Sequence, residues 1–153
     1  MSRSNDGKYL EDETRDALKE LSKRSPVKID RIDDAKSAGQ FTTNKAGDFM
    51  GCAKSIPWLI ECKSSDMEET LRSCLSSTVK NTQAAHHRLW HRAGGRSIFI
   101  FYSLAYDNLE IWDGTLVCKH RVSGKPLPPG GALLAGGMGA FQSFLKTILI
   151  DQE

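Results

Sequence analysis

The pattern of apolar and polar residues predicts a helix near the start of the chain. Over residues 6–23, apolar side chains recur every three or four positions, as on the buried face of an amphipathic helix. Asn5 or Asp6 can cap its first turn, and the segment that ends at Pro26 stops it, because proline cannot continue a helix. The predicted buried stripe consists of Leu10, Thr14, Ala17, Leu18 and Leu21.

Most of the following apolar segments have the lengths and the alternation of strands. The run at residues 97–104 is continuously apolar, which indicates a central strand that is covered on both faces. Asp113-Gly114 predicts a turn between the last two strands. Strands are predicted at 27–33, 48–53, 58–64, 97–104, 108–112 and 116–119.

The remaining segments complete the predicted order of elements. Residues 78–93 predict a second helix that ends at Gly94-Gly95, and residues 139–149 predict a last helix. Residues 65–77 are ambiguous, and loops are predicted at 34–47 and 123–139. An α/β fold follows, with a mixed β-sheet core flanked by helices, in a single domain over residues 1–153.

Composition and charge narrow the possible functions. No apolar run approaches the ~20 residues that span a bilayer, and the first residues lack an apolar leader, so we expect a cytoplasmic protein. The net charge is +2 and the pI about 8.3, which permits a nucleic-acid partner without requiring one. The segment from Arg72 to Arg96 contains five basic residues and no acid, and therefore indicates a surface that faces phosphates.

The four cysteines do not indicate a zinc site, because none of them form a CxxC pair. His86, His87 and His91 are a weaker zinc candidate, since His87 and His91 lie one helical turn apart. No third ligand is evident, and we interpret these histidines as part of a basic helix face beside DNA.

The candidate chemistry lies in the strand pair at 48–64. Alternate residues of a strand share a face, so Glu61 and Lys63 point the same way. A two- or four-residue loop centred on Ser55-Ile56 would pair Ala53 with Trp58 and would bring Asp48 opposite Lys63. A three-residue loop would move Asp48 to the other face.

Two carboxylates and a lysine on one patch are typical of metal-assisted phosphodiester hydrolysis. Carboxylate oxygens are hard ligands that suit Mg²⁺, which keeps several waters and takes one or two carboxylates. The ion would polarise the phosphate and activate a water, while Lys63 would orient that water or stabilise the charge that develops on the phosphate. Asp48 and Glu61 are therefore candidate metal ligands, and Lys45, Lys54, Arg88 and Arg92 are candidate phosphate contacts.

This segment resembles the signature of the PD-(D/E)xK nucleases. Asp48 is followed by twelve residues and then by Glu61-Cys62-Lys63, with Gly47 in place of the usual proline. The nearest resemblance is to RecU-type Holliday-junction resolvases and their phage relatives, over roughly residues 5–104. It rests on Asp48-Phe49-Met50-Gly51, Lys63-Ser64-Ser65, Gln83 and the residues after it, Gly94-Gly95 and the strand from Ile98. The long stalk insertion of those resolvases has no clear counterpart.

The resemblance implies a restriction-endonuclease-like fold and a homodimer that cuts four-way DNA junctions with Mg²⁺, for which Mn²⁺ substitutes. It assigns the first helix a glutamate that binds the metal or its water. Glu11 is the candidate, with Glu13 as its rival and an ordinary surface glutamate in the first turn as the alternative. Gln83 would position a phosphate or water, and Asp33 or Asp34 would assist the metal or cap a loop.

Two alternatives remain open at this stage. The first is a nuclease of the same superfamily on another substrate, such as restriction-type cutting of duplex DNA, DNA-end processing or RNA. The second is a catalytically inactive DNA-binding module, against which the intact set of Asp48, Glu61 and Lys63 argues.

Overall fold

The computed structural model describes residues 6–32 and 47–151, in which six strands form one mixed sheet. The strands stand in chain order across the sheet, and β3 and β4 are parallel while every other neighbouring pair is antiparallel. The strands are β1 Val27–Arg31, β2 Phe49–Ala53, β3 Ile56–Ser65, β4 Arg96–Ser103, β5 Asn108–Asp113 and β6 Leu134–Gly136.

Five helices of the described segments cover the two faces of this sheet. α1 and α5 pack against each other, and α1 contacts β1 and β3; α3 and α4 also pack together and contact β4. One core lies under α1 and α5, and a second core lies under α2 and α4. The helices are α1 Asp6–Ser22, α2 Leu71–Thr78, α3 Asn81–Arg92, α4 Gly114–Ser123 and α5 Phe141–Leu149. This confirms the predicted mixed sheet flanked by helices.

The first helix matches its prediction closely. Every residue of its predicted apolar stripe is buried, including Thr14, whose hydroxyl donates a hydrogen bond to the carbonyl of Leu10. A polar side chain is tolerated in the core here because its hydrogen bond is satisfied within the helix.

The turn between β2 and β3 has one of the two predicted lengths, but it is centred one residue earlier than predicted. Lys54 and Ser55 form a two-residue turn with positive φ angles of 51° and 68°, so Ala53 pairs with Ile56 rather than with Trp58. Pro57 lies inside β3, which it can do because β4 begins alongside Trp58 and Pro57 has a neighbouring strand on one side only. The register therefore differs from the predicted one by two residues, which leaves the facing of each side chain unchanged.

The prediction of a strand at 116–119 was wrong, because this segment lies in α4. The buried residues there are Gly114, Val117 and Cys118, which fit helical spacing and not the alternation of a strand. Gly124 then ends the helix in the left-handed conformation, with a φ of 73°. The predicted loop at 123–139 also contains structure, namely β6 and a 3₁₀ turn at Met138–Ala140.

The ambiguous segment contains α2. Thr70 and Ser73 cap it reciprocally, since the Thr70 hydroxyl accepts from the Ser73 amide and the Ser73 hydroxyl accepts from the Thr70 amide.

None of the helices in residues 6–32 and 47–151 has the length and apolar character that a membrane span requires.

Candidate active site

Glu61 is a buried carboxylate near the centre of the sheet. It lies on β3 beside Phe99 of β4, and Phe99 belongs to the core under α2 and α4. Residues in register on neighbouring strands share a face, so Glu61 points toward this helical layer. Only 3% of the residue is exposed, which makes its charge costly unless neighbouring groups compensate it.

The two oxygens of this carboxylate have different surroundings. Oε1 accepts a hydrogen bond from Nε2 of Gln83 at 3.0 Å and lies 3.4 Å from Nζ of Lys63. Oε2 is buried and has no hydrogen-bond partner among the described residues, and Nε2 of His87 is 3.8 Å away. One oxygen of a buried carboxylate is therefore left unsatisfied, which is rare in folded proteins.

Asp48 lies beside Glu61, immediately before β2. Its amide donates to the carbonyl of Ile60 at 2.9 Å, and its carbonyl accepts from the amide of Ile32 at 2.8 Å. Its side-chain Oδ2 accepts a hydrogen bond of 2.7 Å from the amide of Cys62, which is the β3 residue between Glu61 and Lys63. The backbone of two neighbouring strands thus fixes Asp48, and its carboxylate lies against the segment that carries Glu61 and Lys63.

Gly47, which stands in place of the proline of the resembled signature, packs closely on β3. A Cβ at this position would lie 2.8 Å from Cδ1 of Leu59 and 3.2 Å from the carbonyl oxygen of Ile60. A side chain at this position would therefore require the side chain of Leu59 to shift.

The acidic side chains of the candidate site lie around the thiol of Cys62. Burial raises its pKa well above the ordinary value, and the negative charges of Asp48, Glu61 and Glu11 raise it further, while a hydrogen bond with Thr14 opposes the shift. All three predicted metal ligands therefore lie close enough to this thiol to disfavour its ionisation.

Glu11 nevertheless has a partner of its own. Its Oε1 accepts from Nη2 of Arg31 at 3.2 Å, and Nη1 of the same guanidinium lies 3.4 Å from Oδ1 of Asp12. Among residues 6–32 and 47–151, no three His, Cys, Asp or Glu side chains are close enough to form a metal site together. The candidate ligands brought together here are Asp48 and Glu61, and the role of Glu11, or of its rival Glu13, stays a prediction.

This donor set fits Mg²⁺. Two carboxylates supply hard oxygens, which is the number that Mg²⁺ commonly takes from a protein while it keeps several waters. The unsatisfied Oε2 of Glu61 is an oxygen that a cation would satisfy. The histidines do not assemble a zinc site within the described residues, since no third ligand joins them.

His87 was misinterpreted from the sequence. Its ring is fully buried and packs on Phe99, with 4.4 Å between ring centroids, so it cannot belong to a helix face beside DNA. It lies four residues after Gln83, and residues at this spacing occupy one face of a helix. The four-residue spacing from Gln83 could have predicted that His87 lies on the helix face toward Glu61.

Those predicted phosphate contacts that the structure describes do not lie together. Lys54 is in the hairpin turn, at the opposite end of β2 from Asp48, and its Nζ donates to the carbonyl of Ile150 at 2.9 Å. Arg88 and Arg92 line a groove between α3 and α4 with Lys119. Lys45, Asp33 and Asp34 lie outside the described residues.

A polar cleft of about 540 Å³ adjoins Lys63. Its walls include Ser64, Ser65, Ser77 and Thr78, from β3 and the end of α2. Lys63 contributes an ammonium group to this lining, and Asp66 and Glu69 contribute carboxylates, so the cleft carries charges of both signs. In comparisons with known proteins, no family model matches this chain and no curated protein is significantly similar to it.

Proposed function

We propose that this protein is a metal-dependent DNA endonuclease of the PD-(D/E)xK type, which cuts four-way junctions as a homodimer. The observation that carries the proposal is the buried carboxylate of Glu61, whose Oε2 lacks a hydrogen bond and which lies beside Asp48 and Lys63. A restriction-endonuclease-like fold is part of the same proposal.

An unsatisfied, buried carboxylate oxygen costs about 1–3 kcal/mol, or more when it is charged. Such a cost persists at sites where a ligand satisfies the group, and a divalent cation is the ligand suited to two adjacent carboxylates. Asp48 and Glu61 would hold the ion, which when bound supplies Lewis-acid activation of the phosphate and of a water.

The other side chains have roles that follow from their contacts. Lys63 carries a positive charge 3.4 Å from Glu61 and lines the cleft, so it can contact a phosphate oxygen and stabilise the charge that develops there. Gln83 holds Oε1 of Glu61 and so orients the carboxylate. Hydrolysis consumes one water: its oxygen bonds to phosphorus, one P–O ester bond breaks, and the leaving oxygen takes up a proton.

Charge distribution supports a nucleic-acid substrate. Residues 71–105 and 114–150 contain no acid, and they form α2, α3, α4 and α5 with part of the sheet. Arg88 and Arg92 extend from the same helix that carries Gln83. A cationic helix that begins at the carboxylate site would draw a phosphate backbone toward it. The preference for junctions and the dimer rest on the resemblance to RecU-type resolvases.

The test is cleavage of a synthetic four-way junction with Mg²⁺ or Mn²⁺. We expect the wild type to make paired cuts and Glu61→Gln to lose activity by at least about a hundredfold, as expected when a metal ligand is lost. Glu68→Gln is the matched control, because it makes the same change at an exposed carboxylate. No cleavage by the wild type on any DNA, or full activity in Glu61→Gln, would refute the proposal.

Competing substrates separate the alternatives. Preferential cleavage of linear duplex, DNA ends, single strands or RNA would keep the nuclease and replace the junction assignment. Junction binding without cleavage, unchanged in Glu61→Gln and independent of metal, would identify an inactive binding module instead.

Metal binding has a readout that does not need activity. A ligand that binds only the folded state stabilises it, by about 2.7 kcal/mol at a hundred times its Kd. Mg²⁺ should therefore raise the melting temperature of the wild type and of Glu68→Gln more than that of Glu61→Gln. Equal shifts in all three proteins would argue against a metal on Glu61.

A further inference from the structure

A cationic cavity lies between α2 and α4, and neither Asp48 nor Glu61 is part of its lining. A cavity of about 210 Å³ opens there, with walls formed by Arg72, His120, Arg121 and Lys125 together with Ser73 and Ser76. Every ionisable residue of this lining is a base. No acid lines the cavity, so the lining itself carries net positive charge.

Both guanidinium groups in this cavity are held by the protein. Nε of Arg72 donates to the carbonyl of Leu127 at 2.7 Å, and Nε of Arg121 donates to the carbonyl of Val79 at 2.6 Å. Leu127 and Val79 are fully buried, so these carbonyls belong to well-packed segments. Each bond fixes its arginine through Nε and leaves the terminal nitrogens for another acceptor.

Within residues 6–32 and 47–151, no carboxylate lies within ion-pair distance of Arg72, Arg121, Lys125 or His120. Nδ1 of His120 is shielded from solvent and has no hydrogen-bond partner in the same described region. Pre-organised guanidinium groups with free donors are suited to phosphate, whose oxygens they can meet in pairs. The cavity also has room for a phosphate group and several waters.

We propose that the cavity between α2 and α4 binds a phosphate group of the nucleic-acid backbone, at a point away from the bond that is cut. The identification of that phosphate as part of nucleic acid rests on the proposed function. The site itself rests on the four basic residues and their contacts. Such a contact positions the substrate and adds affinity without reading sequence.

The experiment measures binding of a duplex and of a four-way junction in EDTA, so that no cleavage is needed, over a series of salt concentrations. Lys125→Glu is the main variant, since this side chain is exposed, and Arg72→Ala is the second. Lys146→Glu is the matched control, because it reverses an exposed charge on α5, which packs against α1.

We expect Lys125→Glu and Arg72→Ala to weaken binding of both DNAs by roughly tenfold at moderate salt. The slope of log affinity against log salt should fall by about one for each lost phosphate contact. Lys146→Glu should bind as the wild type does. Wild-type binding by Lys125→Glu and Arg72→Ala, or an equal loss in Lys146→Glu, would overturn the proposal.

Inorganic phosphate distinguishes a free anion from the backbone. Its addition to ¹⁵N-labelled protein should shift the amide signals of His120 and Lys125 and should compete with DNA. Shifts without any competition would overturn the backbone assignment. If the wild type cuts no DNA but Lys125→Glu weakens DNA binding, the cavity site stands and the nuclease proposal is refuted. If the wild type cuts DNA but Lys125→Glu binds DNA as the wild type does, the nuclease proposal stands and the cavity site is refuted.

Discussion

The side-chain amide of Gln83 donates a hydrogen bond to Oε1 of Glu61 over 3.0 Å, and this bond joins α3 to β3. The two residues are 22 positions apart in the sequence. Gln83 also accepts, through Oε1, a hydrogen bond from the amide of Lys80 at the start of α3. Because its carbonyl is held by the helix terminus, its NH₂ group is directed at the carboxylate.

For the proposed nuclease, replacement of Gln83 by alanine should therefore lower cleavage without abolishing metal binding. Loss of a residue that orients a metal ligand typically costs 10–100-fold in affinity or activity, so we expect kcat to fall by that amount. Thr82→Ala, at the exposed neighbouring position of the same helix, is the control. The Mg²⁺-induced rise in melting temperature should be smaller in Gln83→Ala. Unchanged kcat together with an unchanged Mg²⁺ shift would show that the hydrogen bond has no functional role.

The candidate site was predictable from the sequence to the extent that it depends on strand alternation. Glu61 and Lys63 share a face for any hairpin, and Asp48 joins them for any turn with an even number of residues. The position of the turn was not predictable, because Lys54 and Ser55 adopt positive φ without glycine. Local sequence gives little warning of such a turn, since glycine and asparagine usually occupy it.

Glu110 should make stability depend on pH. Burial raises the pKa of this carboxyl above its ordinary value of 4.5, although hydrogen bonds from the indole of Trp112 and the amide of Leu71 oppose the shift. The folded state thus holds the proton more tightly than the unfolded state does. The stability that this adds is complete below pH 4.5 and is lost as pH rises through the raised pKa.

Urea unfolding of the wild type and of Glu110→Gln between pH 4 and pH 8 tests this sign. The free energy of unfolding of the wild type relative to Glu110→Gln should decrease as pH rises through that range. Glu68→Gln makes the same chemical change at an exposed carboxylate and serves as the control. A relative stability of the wild type that increases with pH would contradict the prediction.

Gly51 should be intolerant of a side chain. It pairs with Ile29 across β1 and β2, and a Cβ at Gly51 would collide with the carbonyl oxygen of Lys28. Because the neighbour is backbone, it cannot swing away, so Gly51→Ala should lose roughly 1–3 kcal/mol of unfolding free energy. Gly139→Ala, where a Cβ would have nothing within 4 Å, should change stability by less than about 0.5 kcal/mol. Equal unfolding midpoints for the two variants would refute this.

The cysteines should differ sharply in reactivity. Burial raises the pKa of the Cys118 thiol to about 12, whereas Cys52 is exposed on β2. The thiolate is the reactive form, and at pH 8 it amounts to about one part in ten thousand for Cys118. Iodoacetamide at pH 8 should label Cys52 in the native protein and leave Cys118 unlabelled, as measured by peptide mass spectrometry. Comparable labelling rates in the native protein would contradict this, and labelling of both after unfolding is the control.

The errors of sequence interpretation have a common physical origin in tertiary burial. Val117 and Cys118 have strand-like apolar character, yet they pack as neighbours on one face of α4 against the second core. His87 looked like a member of a basic surface, yet its ring lies under Glu61 and against Phe99. In both cases the local residue types left two outcomes open, and contacts with distant strands decided between them.

The single parallel junction of the described sheet, between β3 and β4, has a consequence for folding. It joins an antiparallel half made of β1, β2 and β3 to another made of β4, β5 and β6, and its partners are far apart in the sequence. Closing such a long loop costs entropy before any contact repays it, so each half should become ordered before the two unite. The strand that carries Glu61 and Lys63 would then be covered by β4 in one late kinetic step. In pulse-labelled hydrogen exchange, amides between β3 and β4 should gain protection after those between β2 and β3, and simultaneous protection would exclude this sequence of events.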